Sequence, residues 1–103
     1  MPVTVVVDDS HASASTPIGY QQITNEMLVA VVGLSPPEGA LRAVIQSNGV
    51  QPVRWRDDGP PPGKMRGMRL NGEGDELVYA GDLHAILFIA ETDGAVLDVA
   101  YYG

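Results

Sequence analysis

The residue types that could carry out acid–base chemistry occur as two pairs of adjacent carboxylates, Asp8-Asp9 and Asp57-Asp58. Two carboxylates act as acid and base when a pocket holds them about 5–10 Å apart and shifts their pKa values. Adjacent aspartates in an exposed loop have no such pocket, and aspartate commonly forms turns through its own side chain. We therefore predict that no catalytic residue lies in either pair.

Metal and nucleophile chemistry are equally restricted, because the chain has no cysteine and only two histidines, His11 and His84. The segment 81–84 (Gly-Asp-Leu-His) resembles part of the cupin metal site, which needs several histidines and a glutamate on one metal. The sequence also lacks a Gly-x-Ser-x-Gly elbow and a phosphate-binding glycine loop. These observations predict a protein that is not an enzyme and has no metal or cofactor.

A binding role is indicated by Trp55, which stands between Arg54 and Arg56. Tryptophan with arginine is the composition of protein-binding hot spots and also of base-stacking surfaces. If this segment is a strand, Trp55 points away from both arginines, and the alternative is a core tryptophan with two outward arginines. The two interpretations remain open at the level of sequence.

The charges of the chain are unevenly distributed. All six basic residues lie between positions 42 and 69, where there are only two acids, whereas eleven acids and no base lie elsewhere. Either this is a solvated face or it is a positive patch for an acidic partner. The formal net charge of −7 argues against nucleic acid and against anionic membranes as partners. The predicted partner contacts in this segment are Arg54, Trp55, Arg56, Lys64, Arg66 and Arg69.

The elements that position these residues are predicted to be short strands. Twelve glycines and eight prolines interrupt apolar stretches that are rich in Val, Ile and Tyr. Asn48-Gly49 predicts a hairpin with a type I′ turn, Asp93-Gly94 a second hairpin, and residues 57–64 an exposed, proline-stiffened loop. A strand pair is also predicted around Gly81-Asp82, with His84 on the same face as Ile86 and Phe88. The predicted strands are 3–7, 18–24, 27–32, 41–47, 50–56, 65–70, 76–80, 84–90 and 95–102. Alternation places Leu41, Ala43 and Ile45 on one face of strand 41–47, and Leu97, Val99 and Tyr101 on one face of strand 95–102.

Eight or nine short strands in a chain of 103 residues predict an all-β fold. We expect an antiparallel β-sandwich, jelly-roll-like, with a small barrel as the alternative, because doubling or closing a sheet protects its edges. Residues 1–17 are predicted to be an N-terminal strand with a flexible arm, and residues 18–103 the sandwich domain. The apolar strand that contains Val3, Val5 and Val7 is predicted to pair with an edge strand of a neighbouring copy.

Several segments of residues 35–103 form a recognisable series. They are Pro-Glu-Gly-Ala-Leu-Arg-Ala at 37–43, Gly-Met-Arg-Leu at 67–70, Gly-Asp-Glu-Leu at 74–77 and Val-Ala-Tyr-Tyr at 99–102. The most specific segment is Arg-Trp-Arg-Asp-Asp-Gly at 54–59, inside the segment 51–59. Together these segments resemble small virion proteins of tailed bacteriophages. The tripled proline and Lys64 depart from the Thr/Ala-rich loop that is more usual in that group.

The resemblance implies a structural protein of the virion, assembled in the host cytoplasm. A capsid decoration or cement protein that docks on the major capsid protein is the first expectation, with association of several copies, as a trimer. A neck, tail or fibre accessory protein is the second expectation. The third is a carbohydrate-binding module on a tail or spike, which uses Trp55 or Tyr101-Tyr102 as a stacking platform.

Overall fold

The computed structural model describes residues 16–103, so the predicted strand and arm before them, with Val3, Val5 and Val7, lie outside the described residues. Eight strands follow one another in this part of the chain: β1 Pro17–Ile23, β2 Val32–Gly33, β3 Arg42–Ser47, β4 Val53–Arg56, β5 Met68–Leu70, β6 Asp75–Tyr79, β7 Leu87–Ala90 and β8 Leu97–Tyr102. They form two antiparallel four-stranded sheets, β1-β8-β3-β6 and β2-β7-β4-β5. The predicted all-β sandwich is confirmed.

The core lies between the two sheets and follows the alternation of the strands. On β8, Leu97, Val99 and Tyr101 are buried while the residues between them are half-buried, as the sequence predicted. The second sheet contributes Val53 and Phe88, which are fully buried. Each of these large side chains stabilises the fold by roughly 1.5–3 kcal/mol through removal of apolar surface from water.

Trp55 lies on the inner face of β4, is partly buried and packs against the core. Its indole meets the ring of Tyr79 on β6 edge to face, with centroids 6.1 Å apart and an interplanar angle of 67°. The predicted parity is confirmed here too, because Val53 and Trp55 share the inner face while Arg54 lies on the outer one. Trp55 therefore contributes both to the core and to a surface described below.

The prediction of a strand over residues 27–32 is wrong. Met27–Val29 form a single turn of 3₁₀ helix, because the amides of Met27 and Leu28 bond back to the carbonyl of Thr24. This turn places Leu28 in the core and leaves Met27 and Val29 exposed. A short apolar run has no periodicity that separates strand from helix, so the backbone bonds decide.

Both predicted hairpin turns are also wrong, since each joins strands of different sheets. Residues 48–52 connect β3 to β4. The amide of Asn48 bonds the carbonyl of Val96, and the amide of Val50 bonds the carbonyl of Gly94, so the turn bonds the other connection rather than itself. Gly49 does not have the positive φ of a type I′ turn, whereas Gly94, in the connection from β7 to β8, has φ 109°. A side chain on Gly49 would overlap the carbonyl oxygen of Gly94, so the two connections pack tightly against each other.

Four other strand predictions begin too early. β4 begins at Val53 instead of residue 50, and β8 begins at Leu97 instead of residue 95. β7 begins at Leu87 instead of residue 84, and His84 lies exposed in a turn where its amide bonds Asp82 Oδ1 at 2.9 Å. The expectation that His84 shares a strand face with Ile86 and Phe88 is therefore wrong, and the Gly81-Asp82 connection joins β6 to β7 of the other sheet. β5 begins at Met68 instead of residue 65, because Gly63 and Arg66 already close the loop before it.

Among residues 16–103 no helix has the length and apolar character that crossing a membrane requires.

Candidate binding surface

The loop between β4 and β5 presents most of the residues that the sequence singled out. These two strands pair directly, with Trp55 opposite Met68. Inside the loop Gly63 and Arg66 exchange both backbone hydrogen bonds, at 2.9 and 3.0 Å, so Lys64 and Met65 form the tip of a tight turn. These two hydrogen bonds give the tip of the loop a defined conformation.

A glycine fixes how this loop meets β4. Gly67 has φ 127°, and a side chain there would approach the Trp55 carbonyl oxygen to 2.9 Å. Only a residue without Cβ adopts this conformation at low cost. Gly67 therefore lets the end of the loop lie close against the backbone of β4.

A shallow depression of about 440 Å³ opens beside the loop. Trp55 and Met68 form its apolar wall, and Arg56, Asp58 and Arg66 surround it. Met68 is 61% exposed and Met65, at the loop tip, is 86% exposed. Tryptophan, methionine and arginine are enriched at protein interfaces, and methionine adapts its shape to a partner. We call Trp55, Lys64, Met65, Arg66 and Met68 the methionine surface.

The charge of Arg56 is neutralised within the loop. Its Nε and Nη2 atoms donate to the two carboxylate oxygens of Asp58 at 2.9 and 2.7 Å. This forked hydrogen bond holds the pKa of Asp58 below its ordinary value. The pair closes one side of the depression with a rigid polar rim that carries no net charge.

Arg54 and Arg69 share one carboxylate that is distant in sequence, so the three residues together keep one positive charge. They lie directly opposite each other on β4 and β5, and Glu91 accepts a hydrogen bond from the Nε atom of each, at 2.5 and 3.0 Å. Burial alone raises the pKa of Glu91, but the hydrogen bonds from Arg54 and then Arg69 outweigh it, so the pKa lies below its ordinary value. Arg54, Arg69 and Glu91 thus form a bridged triplet on the outer face of the second sheet.

Asp57 serves the fold rather than the arginines. Its carboxylate accepts the hydroxyl of Tyr79 at 2.7 Å, which fastens the start of the loop to β6 of the other sheet. Burial, followed by the hydrogen bond to this carboxylate, raises the pKa of Tyr79 to about 12. The tyrosine also carries the edge contact with Trp55, so the loop, the indole and the first sheet are held together at one point.

The structure therefore separates the predicted contact residues into two groups. Trp55, Arg56 and Arg66 meet at the depression, and Lys64 stands at the adjacent loop tip. Within residues 16–103, Lys64 and Arg66 form no ion pair and are exposed. Arg54 and Arg69 lie together on the outer face of the second sheet, with Glu91.

Sequence reasoning missed Met65, Met68 and Glu91. The two methionines had a local signal, because they alternate with the basic residues Lys64, Arg66 and Arg69 at the end of a polar loop and the start of β5. Glu91 had none, because it meets Arg54 only through the pairing of β4 with β7.

The aromatic residues named for carbohydrate stacking lie in different environments. Tyr101 is 1% exposed and donates its hydroxyl to Gln21 inside the sandwich, so it offers no face to a ligand. Tyr102 is half-buried, with the guanidinium carbon of Arg42 5.3 Å from its ring centroid. In the described part of the chain, no group of three or more His, Asp or Glu is placed to hold a metal ion.

No family model matches this chain, and neither a curated protein nor a solved structure matches it. The function is therefore argued from the surfaces themselves.

Proposed function

We propose that the protein is a non-catalytic structural component of a tailed-phage particle, a decoration or cement protein that docks on the major capsid protein. The observation that carries the docking part is the methionine surface, where the exposed Met68 borders the indole beside Arg66 and the exposed Met65 lies with Lys64 at the adjacent loop tip. The resemblance of residues 54–59 to phage virion proteins supports the particle as its location.

The chemistry of the methionine surface specifies its partner. Its exposed charges are positive, whereas the charged residues outside residues 42–69 are all aspartate or glutamate. A partner that offers carboxylates around an apolar side chain would fill the depression beside Trp55 and meet Lys64 and Arg66. The acidic remainder of the chain would at the same time repel other copies that approach in the wrong orientation.

The strength of one such contact is limited. Burial of a methionine side chain contributes roughly 1.5–3 kcal/mol, while association itself costs an estimated 4–15 kcal/mol. Two methionines and an indole edge therefore hold a single copy weakly. Several linked copies on a repeating lattice bind far more tightly through their raised effective concentration. This is the physical reason to retain the prediction of a homo-oligomer, with a trimer favoured.

The docking part is tested by adding purified protein to heads that lack it and measuring the bound copies. Met65→Ser combined with Arg66→Glu should weaken binding at least about tenfold, a change of about 1.4 kcal/mol or more. Met27→Ser is the matched control, because Met27 is 51% exposed on the 3₁₀ turn outside the methionine surface. Undiminished binding by the double variant would show that this surface does not dock.

The particle part is tested separately by quantitative mass spectrometry of purified virions. Hundreds of copies per particle indicate decoration of the shell, whereas roughly a dozen or fewer indicate a neck, tail or fibre position, where symmetry limits the number of sites. Absence of the protein from purified particles would refute the virion proposal altogether.

A further inference from the structure

The outer face of the first sheet presents an aromatic ring beside a row of polar side chains. Tyr20 on β1 is 66% exposed and lies opposite Ala100 on β8, which in turn lies opposite Val44 on β3. The next row across the same four strands is polar and consists of Gln22, Asp98, Gln46 and Glu76. An exposed aromatic residue thus borders a line of amides and carboxylates.

The Tyr20 ring is held along the sheet. Its hydroxyl donates to Asp98 Oδ1, and Asp98 lies opposite Gln22, two positions further along β1. The ring therefore reaches along the sheet toward the polar row, and most of the residue stays open to solvent. Because Ala100 and Val44 are short, a shallow depression of about 210 Å³ remains beside the ring, bordered by Gln46 and Glu76.

Asp98, Gln46 and Gln22, at or next to this depression, are joined by hydrogen bonds that include Asn48. Asp98 also accepts hydrogen bonds from Gln22 Nε2 at 3.2 Å and from Asn48 Nδ2 at 2.5 Å. Asn48 Nδ2 also donates to Gln46 Oε1 at 3.0 Å. The hydrogen bonds from Tyr20 and then Asn48 keep the pKa of Asp98 below its ordinary value, so the carboxylate stays charged and holds the network in place. Little side-chain entropy remains to be lost when a ligand binds.

We propose that this face binds a neutral carbohydrate, with one sugar ring stacked on Tyr20 and its hydroxyl groups bonded by Gln46, Glu76 and Gln22. A sugar ring has an apolar face of C–H groups and an edge of hydroxyls, each a donor and an acceptor. An open aromatic face beside amides and carboxylates is complementary to both parts, since these side chains accept and donate in the same plane.

The charges on this face select among ligands. Asp98 and Glu76 repel anionic sugars, phosphates and acidic proteins. The one arginine on the same face, Arg42, stacks on Tyr102 in the row on the other side of Tyr20 and Ala100. A neutral glycan is thus favoured over a sulfated, sialylated or uronic one.

This site does not depend on the proposed docking role, because it lies on the first sheet and the methionine surface belongs to the second. A copy attached through the methionine surface would still have Tyr20 free. Loss of one activity by substitution should therefore leave the other intact.

The test uses the purified full chain on a glycan array of neutral oligosaccharides of glucose, galactose, mannose and N-acetylglucosamine, with sialylated and uronic glycans alongside. We expect binding to neutral glycans only. An NMR titration with the best neutral binder should shift the amides of Tyr20, Val44 and Ala100. The fluorescence of Trp55, the single tryptophan, should not change.

Substitutions at the site make the test decisive. Tyr20→Ala should weaken binding of that glycan at least about tenfold, and Tyr20→Phe should weaken it less because the ring remains. Gln46→Ala is a second variant with a smaller side chain at the edge, and Met68→Ala is the control on the other surface. Each variant is used only after its thermal midpoint confirms folding.

Three results would overturn the proposal: no neutral glycan binds, anionic glycans bind better, or Tyr20→Ala and Gln46→Ala bind as the unmodified chain does. Light scattering provides a further decision. If the chain self-associates without binding any glycan, and Tyr20→Ala abolishes that association, this face belongs to a second copy and the carbohydrate site is refuted.

Discussion

Glu91→Gln removes one negative charge from between two arginines and hardly changes the volume of the side chain. The side chains of Glu91 and Arg54 are only 15% and 21% exposed, whereas that of Arg69 is 51% exposed. A charged hydrogen bond in a half-buried setting contributes about 1.5–3 kcal/mol, and an exposed ion pair contributes about 0–1 kcal/mol. We therefore expect the free energy of unfolding at pH 7 to fall by about 2–3 kcal/mol.

Repulsion strengthens this expectation. Arg54 and Arg69 face each other directly across β4 and β5, and like charges in that position destabilise a sheet. The glutamine amide keeps one uncharged acceptor oxygen, and its NH₂ group, a donor, replaces the oxygen that accepts from Arg69 Nη2 or from the two Nε atoms. For a chain of this size a loss of 2–3 kcal/mol corresponds to a fall of roughly 10–20 °C in the thermal midpoint.

The pH dependence provides a signature that a packing defect would not show. The pKa of Glu91 is lower in the folded than in the unfolded chain, so its stabilising contribution is complete above the unfolded value, near 4.5, and is lost as pH falls through the folded value. The stability difference between the original chain and the variant should thus be full at pH 7 and shrink below about pH 4.5.

Urea denaturation from pH 7 down to pH 2.5 measures both predictions. Glu26→Gln is the matched control, because the exposed Glu26 precedes the 3₁₀ turn without a side-chain capping bond. A loss below about 0.5 kcal/mol at pH 7 would refute the reasoning, since that is the scatter of ordinary surface substitutions. A loss that stays constant down to pH 2.5 would refute the electrostatic cause and indicate a packing effect instead.

Tyr79→Phe should cost about 1 kcal/mol by removing the hydrogen bond to Asp57. Because the Tyr79 pKa is raised to about 12, the stability difference between the original chain and the variant should be full below about pH 10 and shrink above it; a tyrosinate absorbance titration in which Tyr79→Phe removes no group that titrates above pH 11 would contradict this. Gly49→Ala should destabilise by about 3 kcal/mol or more, because its Cβ overlaps the backbone of Gly94. Gly63→Ala, whose Cβ meets only ordinary contacts, is the control, and equal thermal midpoints for the two alanine variants would disprove the tight packing.

The sequence by itself determined the features that depend on neighbouring residues. The alternation in β3, β4 and β8 assigned the inner faces correctly, because each strand buries only one side. The loop after β4 was also predictable, because Asp57-Asp58-Gly59 favours a turn and the three prolines that follow have no N–H to donate to a ladder.

Strand pairing was beyond local reasoning. β4 and β5 are the only strands that are adjacent both in the described chain and in a sheet, while β8 pairs with β1 and β3 across long separations. A glycine turn at the end of a sandwich has the same sequence whether it joins paired strands or crosses between sheets. Asn48-Gly49 and Asp93-Gly94 were therefore misassigned as hairpins.

The candidate sites divide in the same way. The composition around Trp55 indicated binding, because tryptophan and arginine have that tendency wherever they occur. Only the tertiary structure decided which arginines are paired with a carboxylate, since Glu91 reaches Arg54 from 37 positions away. It also decided that the Tyr20 hydroxyl bonds Asp98, 78 positions distant. Residue types are local properties, but ion pairs and ligand faces arise between strands that the chain brings together only when it folds.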